Sequence, residues 1–387
     1  NWIDQRFMRT FNKLPEMAAE AATLLDPGLA DPATLSDISA VAMRCGGCGA
    51  KVGANVLTRA LADLEPAANE DVLVGLHASD DAAVVQVPDG KVMVHTVDYF
   101  RAFIDDAYVF GQVAANHALS DIFAMGAEAQ SALAIATVPY SLEAKVEMSI
   151  REMMTGAIDV LNEAGATLVG GHTSEGPELA LGFSVNGLAD RETILRKGGM
   201  AAGDVLILTK PLGTGTLFAA DMQQKAKGRW IEGALKSMVQ SNRQAAQCLF
   251  NHGASACTDI TGFGLLGHMV EMTKASDVDV EIDLDSLPVL DGAQETVRLG
   301  ILSSLQPANV RLRRAIRNLN EAREHERYPL IFDPQTSGGL LASLPAERVQ
   351  SCLRVLRDLG YANATIVGRV AAKSDYLEPV TLISRPN

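Results

Sequence analysis

Apolar positions from residue 52 onward follow two spacings, one typical of strands and one typical of helices. Runs rich in Val, Ile and Leu predict strands in the first half of the chain at 81–87, 91–97, 131–138, 167–169 and 179–188. Residues at a period near 3.6 predict helices at 56–64, 109–125 and 141–164, with Ser141 as N-cap of the third and Gly165 just beyond its end. The turn Pro88-Asp89-Gly90 between the first two strands predicts a hairpin.

The second half repeats this mixture after a polar, glycine-containing stretch at 190–203. We predict strands there at 204–209, 278–282, 339–344 and 364–370, and we expect the strand at 364–370 to be the last of the chain. We predict helices at 231–250, 265–275, 310–320 and 346–359. We therefore predict the α+β class, with mixed or antiparallel sheets. The expected organisation is a leader or linker over 1–43, an N-terminal domain over 44–190 and a C-terminal α+β domain over 195–387.

Composition narrows the possible classes of function. Of the 387 residues 48% are hydrophobic and 21% charged, as in globular proteins with a sizeable core. A formal net charge of −14 argues against a nucleic-acid partner. No apolar run is long enough to predict a membrane span. Five cysteines are too few and odd in number for a disulfide framework, so we expect a cytoplasmic location.

One glycine-rich segment at 44–51 places Cys45, Cys48 and Lys51 close together along the chain. A thiol near a lysine can have a depressed pKa, and the thiolate is its reactive form. The segment is compatible with half of a zinc site, with a redox pair, or with a mobile catalytic loop. Zinc is the weakest of the three, because Cys248, Cys257 and Cys352 are isolated in sequence and Cys248 and Cys352 are expected to be small buried hydrophobic residues.

Aspartates recur near the ends of predicted elements, at Asp81, Asp98, Asp121 and Asp259. Mg²⁺ prefers oxygen ligands and is commonly held by one or two carboxylates together with substrate phosphates. Any one of these aspartates, taken alone, is more typical of a cap or a surface group. Glycine-rich loops predicted at 170–173, 261–264 and 336–339 could cradle phosphate or form tight turns.

A series of ordered motifs extends over residues 44–372. The motifs are C-G-x-K at 48–51, D-D-A-A-V at 80–84, T-V-D-Y-F at 96–100, N-H-A-L-S-D-I-F-A-M-G at 116–126, G-G-H-T at 170–173, L-T-K-P-L-G at 208–213, T-D-I-T-G-F-G-L-L-G-H at 258–268 and D-P-Q-T-S-G-G-L-L at 333–341. In this order they resemble selenophosphate synthetase, also called selenide, water dikinase. Related ATP-using families share some aspartate motifs but not the cysteine–lysine loop together with D-P-Q-T-S-G-G.

The resemblance implies a two-domain ATP-binding fold of the aminoimidazole ribonucleotide synthetase-like type, and a homodimer. It also implies the reaction of ATP, selenide and water to selenophosphate, AMP and phosphate, with Mg²⁺ as cofactor. It assigns catalysis to Cys48 and Lys51. Nucleotide binding falls on Lys51, Asp98, Asn116, Asp121, Gly170, Gly171 and His172, and metal binding on Asp81, Asp98, Asp121 and Asp259. His117 is a further candidate, although a lone histidine is more often structural.

The chain departs from the family pattern at two places. Ala50 stands where many members have a second cysteine, and Cys45 lies upstream instead. The segment Trp2–Asn12 resembles the end of a flavin-dependent NADH dehydrogenase-like protein, and the chain begins with Asn1, so we expect part of a fusion with an upstream flavoprotein domain. Two alternatives stay open. One is another ATP-dependent enzyme of the same fold, and the other is a nucleotide-binding redox or zinc sensor built on the C-x-x-C pair.

Overall fold

The computed structural model describes residues 54–74 and 83–384. The predictions made for the leader, for Cys45, Cys48 and Lys51, and for Asp81 lie outside these residues. Within them, no helix has the length and apolar character needed to cross a bilayer.

The first half forms a mixed four-stranded sheet with helices on one side. Its elements are α1 (Ala54–Leu61), β1 (Val72–Val74), β2 (Val84–Val85), β3 (Lys91–Arg101), α2 (Ala107–Ala124), β4 (Glu128–Pro139), α3 (Glu143–Ala164), β5 (Thr167–Gly176) and β6 (Ala180–Asp190). The strand order is β3-β6-β4-β5, and only the β4–β5 pair is parallel. Strands β1 and β2 form a separate antiparallel pair.

Helices α2 and α3 approach each other unusually closely because glycine occupies both sides of the contact. A Cβ on Gly111 would lie 1.9 Å from Met153 O, and a Cβ on Gly156 would lie 2.0 Å from Tyr108 O. No side chain fits either gap. The close contact places Phe110 and Ile150, both fully buried, in the layer between the helices and the sheet.

Strand β3 divides its side chains between the two faces of the sheet. Val97 and Tyr99 are 61% and 46% exposed. The alternate residues Thr96, Asp98 and Phe100 face α2, as their contacts with helix side chains show. Because successive strand residues point to opposite faces, Thr96 and Asp98 are directed toward α2 while Val97 and Tyr99 lie on the opposite face.

The second half is built on a six-stranded sheet of order β12-β9-β11-β7-β10-β8, in which only β12–β9 is parallel. Its elements are β7 (Val205–Leu208), α4 (Thr214–Met222), α5 (Gly228–Val239), α6 (Arg243–Asn251), β8 (Ala256–Asp259), α7 (Gly264–Ser276), β9 (Asp279–Asp283), α8 (Ala293–Arg298), α9 (Gln306–Asn309), α10 (Leu319–Ala322), β10 (Leu340–Leu344), α11 (Ala346–Asp358), β11 (Thr365–Ala371) and β12 (Val380–Ile383), with 3₁₀ turns at Leu284–Ser286, Val310–Ala315 and Tyr328–Phe332. Both sheets are mixed, which confirms the predicted α+β class.

Two predictions about strands were wrong. The hairpin across 81–97 does not form in the described residues, since β2 pairs with β1 and β3 pairs along its whole length with β6. The eleven residue pairs between β3 and β6 stabilise this arrangement more than the turn at 88–90 could stabilise a hairpin. The predicted strand at 364–370 is not the last, because β12 follows and pairs with β9.

The predicted helix over 231–250 is two helices, because the chain leaves the helical path at Gln240. The carbonyl oxygens of Gln240 and Ser241 accept hydrogen bonds from Lys210 Nζ at 2.5 Å and Tyr361 Oη at 2.6 Å. These distant donors replace the intrahelical bonds that the break removes.

Two smaller predictions also need correction. The predicted helix at 310–320 is a 3₁₀ turn that ends before Ile316, which is extended and bridges to Val380. The N-cap predicted at Ser141 is Leu142, with no side-chain cap bond. Gly165 does end α3 with φ 78°, as predicted.

The predicted loop at 170–173 is the middle of strand β5, which runs from Thr167 to Gly176. A Cβ on Gly171 would lie 2.3 Å from Ala134 O, so glycine allows β5 to approach β4. These glycines therefore serve strand packing rather than a turn.

Candidate active site

Three of the predicted aspartates come from distant parts of the chain and meet in one cavity. Asp98 lies in β3, Asp121 in α2, and Asp259 is the last residue of β8. We call this the carboxylate cavity. Its volume is about 410 Å³. It is lined by Val94, His95, Thr96, Asp98, Asp121, Ala124, Met125, Lys197, Cys257, Thr258, Asp259, Thr261 and His268.

The three carboxylates carry negative charge that their surroundings compensate poorly. Burial, and then the charge of Asp121, raise the pKa of Asp98 to about 6. Burial and the same neighbour raise the pKa of Asp259 to about 7. Asp259 Oδ2 is buried without a hydrogen-bond partner among the described residues. Oxygen ligands with excess negative charge are the chemistry that a hard divalent cation requires, so the donor set fits Mg²⁺.

Asp121 is held in place by the neighbouring strand. Thr96 Oγ1 donates a hydrogen bond of 2.5 Å to Asp121 Oδ2. The hydroxyl occupies one oxygen of the carboxylate and fixes the orientation of the group.

His117 connects the aspartates to the second half of the chain. Its Nδ1 accepts a hydrogen bond of 3.0 Å from the Ser337 amide, and its Nε2 lies 3.8 Å from Asp98 Oδ1. Burial lowers the pKa of His117 to about 4. The ring is therefore neutral near pH 7, and because Nδ1 accepts a hydrogen bond, its proton is on Nε2, facing Asp98.

Lys210 is a buried amine whose role is not evident from the sequence. Its Nζ donates to the carbonyl oxygens of Gln240 at 2.5 Å and Ser337 at 3.3 Å. Burial lowers the pKa of Lys210 to about 7, against the opposing influence of Asp259. The amine thus holds the α5–α6 break and the loop at 333–339 together.

The motif D-P-Q-T-S-G-G caps a helix from a distant part of the sequence. Gln335 Oε1 accepts hydrogen bonds from the Gly213 and Thr214 amides at 2.9 and 3.1 Å. Asp333 Oδ2 accepts from the Gly215 amide at 3.1 Å. These contacts satisfy the first amides of α4, which have no partner within the helix. Helix α4 itself was not predicted.

Four predicted nucleotide-binding residues lie outside the carboxylate cavity. Asn116 Nδ2 donates to Val239 O at 2.9 Å, in the contact between α2 and α5. Gly170, Gly171 and His172 belong to β5, and two strands separate β5 from β3. The structure therefore brings together Asp98, Asp121 and Asp259 but not these four. Their role in nucleotide binding stays a prediction.

Comparison with known proteins shows which domain families and relatives this chain is similar to. Residues 79–189 match the model of the AIR synthase related protein N-terminal domain, and residues 201–377 match that of its C-terminal domain. The selenide, water dikinase of Caldanaerobacter subterraneus subsp. tengcongensis is 41% identical over 330 residues, covering 85% of this chain and 94% of the relative. The chain belongs to the selenide, water dikinase family. The family resemblance seen in the motifs is thereby confirmed.

Other relatives and solved structures agree with this placement. Selenide, water dikinases of Clostridium botulinum strain Eklund 17B and Clostridioides difficile strain 630 are 38% and 36% identical, each over 85% of this chain and 94% of the relative. Thiamine-monophosphate kinase from Stenotrophomonas maltophilia K279a is 19% identical with a TM-score of 0.61, covering 85% of this chain and 94% of that one. Hydrogenase maturation protein HypE is 17% identical with a TM-score of 0.62, covering 84% and 92%. At these identities the two structures show the fold alone, and the two domain matches confirm the predicted aminoimidazole ribonucleotide synthetase-like type.

Proposed function

We propose that this chain is a selenide, water dikinase that converts ATP, selenide and water to selenophosphate, AMP and phosphate. The observation that carries the proposal is the convergence of Asp98, Asp121 and Asp259 in one cavity of a chain that belongs to this family. Phosphoryl transfer depends mainly on positioning and charge neutralisation, and a cluster of buried carboxylates can hold the cations that supply both.

We propose distinct tasks for the residues in and around the carboxylate cavity. Asp98, Asp121 and Asp259, together with Asp81 from the family motif, would hold Mg²⁺, which neutralises charge on the phosphates of ATP when bound. Thr96 orients Asp121 through its 2.5 Å hydrogen bond. The neutral ring of His117 directs its Nε2 proton toward Asp98 and anchors the loop at 333–339.

Cys48 and Lys51 are the catalytic residues in this proposal. Selenide is a soft anion, and the Cys48 thiol is suited to guide it toward the phosphorus atom. The Lys51 ammonium would neutralise charge developing on the phosphoryl oxygens and contact the nucleotide. We assign Asp98, Asn116, Asp121, Gly170, Gly171 and His172 to nucleotide binding by the family motifs. The domains in this proposal are 44–190 for ATP and metal, and 195–387 for the C-terminal part.

The open face of the four-stranded sheet supports a homodimer. Val97 and Tyr99 on β3 and Leu133 on β4 are exposed on the face opposite the helices. Exposed apolar residues grouped on one sheet face are typical of a protein–protein interface. A second copy of this chain is the occupant that we propose. Sedimentation of Val97→Lys against the unmodified chain tests it, since a lysine there should dissociate the dimer.

Phosphorus NMR tests the reaction directly. ATP incubated with Mg²⁺, anaerobic selenide and the protein should give a selenium-bound phosphate signal and an equal amount of AMP. Asp121→Asn should remove both products, while Asp358→Asn, at the exposed end of α11, should leave them unchanged. If ATP is consumed only when a thiamine phosphate or another acceptor replaces selenide, the enzyme is a different kinase of the same fold. Absence of any ATP turnover would favour the sensor alternative.

A further inference from the structure

Cys248 and Cys352, which lie 104 residues apart in sequence, are in contact in the fold. Cys248 lies in α6 and Cys352 in α11, and their sulfur atoms are 3.8 Å apart. His252, at the C-terminal end of α6, brings its Nδ1 to 3.7 Å from Cys248 Sγ. The ligand atoms of the three residues all lie within 4.8 Å of one another. The two cysteines are buried as predicted, but the fold brings these residues, isolated in sequence, into contact, and we call the group with His252 the cysteine–histidine cluster.

The two distances from Cys248 Sγ to its neighbours match edges of a zinc coordination tetrahedron. Zinc–sulfur bonds of about 2.3 Å and zinc–nitrogen bonds of about 2.0 Å, at tetrahedral angles, separate two sulfur atoms by about 3.8 Å and a sulfur from a nitrogen by about 3.5 Å. The observed distances are 3.8 and 3.7 Å. An ion could therefore enter with little movement of Cys248 relative to its two neighbours.

The environment of the cluster also suits a metal ion. Cys248 and Cys352 are 4% and 0% exposed and belong to the main apolar core. Two thiolates bound to a divalent cation with a neutral imidazole have no net charge, so the complex can be buried without a counter-ion.

We propose that Cys248, His252 and Cys352 form a binding site for a thiophilic divalent cation, zinc, that cross-links α6 to α11. Binding releases one proton from each thiol. His252 Nδ1 now donates to Cys248 O at 2.8 Å, and as a ligand it gives up that contact while its proton moves to Nε2 through solvent. His252 is only half-buried, so the fourth position opens toward solvent and is open to water.

This site differs in chemistry from the carboxylate cavity. Thiolate and imidazole ligands select zinc-like ions, whereas carboxylates select Mg²⁺. Helix α6 packs on α2, which carries Asp121, so the cross-link stabilises the support of the carboxylate cavity without touching its ligands. The cysteine–histidine cluster is therefore tested by metal binding and by stability, and these measurements do not depend on catalysis.

Cobalt(II) is a suitable probe, because thiolate-to-cobalt charge transfer and strong visible bands report tetrahedral sulfur ligation. The titration uses the full chain with Cys45→Ser and Cys48→Ser, so that the C-x-x-C pair cannot contribute. We expect one equivalent of cobalt to produce these bands and zinc to displace it. Cys352→Ala should abolish the bands, and His252→Ala should weaken cobalt binding at least tenfold while retaining sulfur ligation. Cys257→Ala, a buried cysteine outside the cluster, is the matched control and should behave as the parent.

Thermal unfolding distinguishes loss of the site from loss of the fold. Zinc should raise the unfolding midpoint of the parent and of Cys257→Ala, and should leave that of Cys352→Ala unchanged. Charge-transfer bands that persist in Cys352→Ala would overturn the proposal, as would their absence in the parent. Formation of a Cys248–Cys352 disulfide on mild peroxide treatment that zinc does not slow would also count against it.

Discussion

The Thr96 hydroxyl and Asp121 are joined by a 2.5 Å hydrogen bond between strand β3 and helix α2. The contact occupies one oxygen of the Asp121 carboxylate, which lines the carboxylate cavity. Residues that orient a metal-binding carboxylate commonly affect metal affinity although they do not bind the metal themselves.

Replacement of Thr96 should therefore weaken Mg²⁺ activation. For Thr96→Val we expect the Mg²⁺ concentration for half-maximal activity to rise by about 10-fold or more, since the shape is kept and the hydroxyl is lost. The measurement is the initial rate of AMP formation against Mg²⁺ at saturating ATP. Thr96→Ser, which retains the hydroxyl, is the control. An unchanged activation constant for Thr96→Val would show that Asp121 needs no such support.

Asp259→Asn should lower activity and raise stability. Loss of a carboxylate that we propose to bind Mg²⁺ should reduce the rate of selenophosphate formation by at least about 100-fold. In metal-free buffer the variant should unfold at a higher temperature. Because the folded pKa of Asp259 is raised to about 7, its cost to stability grows as pH rises from about 4 to 7. The gain in unfolding temperature should therefore be larger at pH 8 than at pH 5, and a loss of stability at pH 8 would contradict this interpretation.

Two glycines in helices should respond to alanine in opposite directions. Gly156→Ala places a Cβ 2.0 Å from Tyr108 O, so the helices α2 and α3 must separate and several kcal/mol of stability should be lost. Gly233→Ala, in the middle of α5, meets no atom within 4 Å and should add about 1 kcal/mol. Urea unfolding of the two variants against the unmodified protein gives both values. Equal effects would mean that the glycine contact between α2 and α3 is not needed.

Asp279 should make stability depend on pH below 5. Burial opposes its ionisation, but hydrogen bonds from Ser374, Arg317 and Lys373 outweigh burial and lower its pKa to about 2. An acid with a depressed folded pKa stabilises the fold above its unfolded pKa and loses that contribution as pH falls toward the folded value. The full contribution is about 2 kcal/mol, of which about 1 kcal/mol is lost between pH 5 and pH 3.

Urea unfolding of Asp279→Asn tests this dependence. The free energy of unfolding of the variant should fall by about 1 kcal/mol less than that of the unmodified protein over the same pH range. Asp358→Asn is the control and should follow the unmodified protein. A parallel decline for Asp279→Asn would locate the acid sensitivity elsewhere.

Local patterns predicted much of the fold. Apolar alternation and helical periodicity located β3, β4, β6, α2 and α3, and Gly165 ended α3 as expected. These patterns gave wrong predictions where groups distant in sequence form the hydrogen bonds of the backbone. The break at Gln240 depends on Lys210 and Tyr361, and the pairing of β3 depends on β6, which begins 79 residues after it in sequence, at Ala180 against Arg101.

The sequence by itself determined the family and the residue types of the candidate site, because ordered motifs and aspartates are properties of the chain. Only the tertiary structure decided that Asp98, Asp121 and Asp259 share one cavity while Gly170 and Gly171 lie in a strand away from it. It also decided that Cys248 and Cys352 touch. The physical reason is that contacts between residues about 100 positions apart follow from how helices and sheets pack, and single-chain periodicity carries no information about that packing.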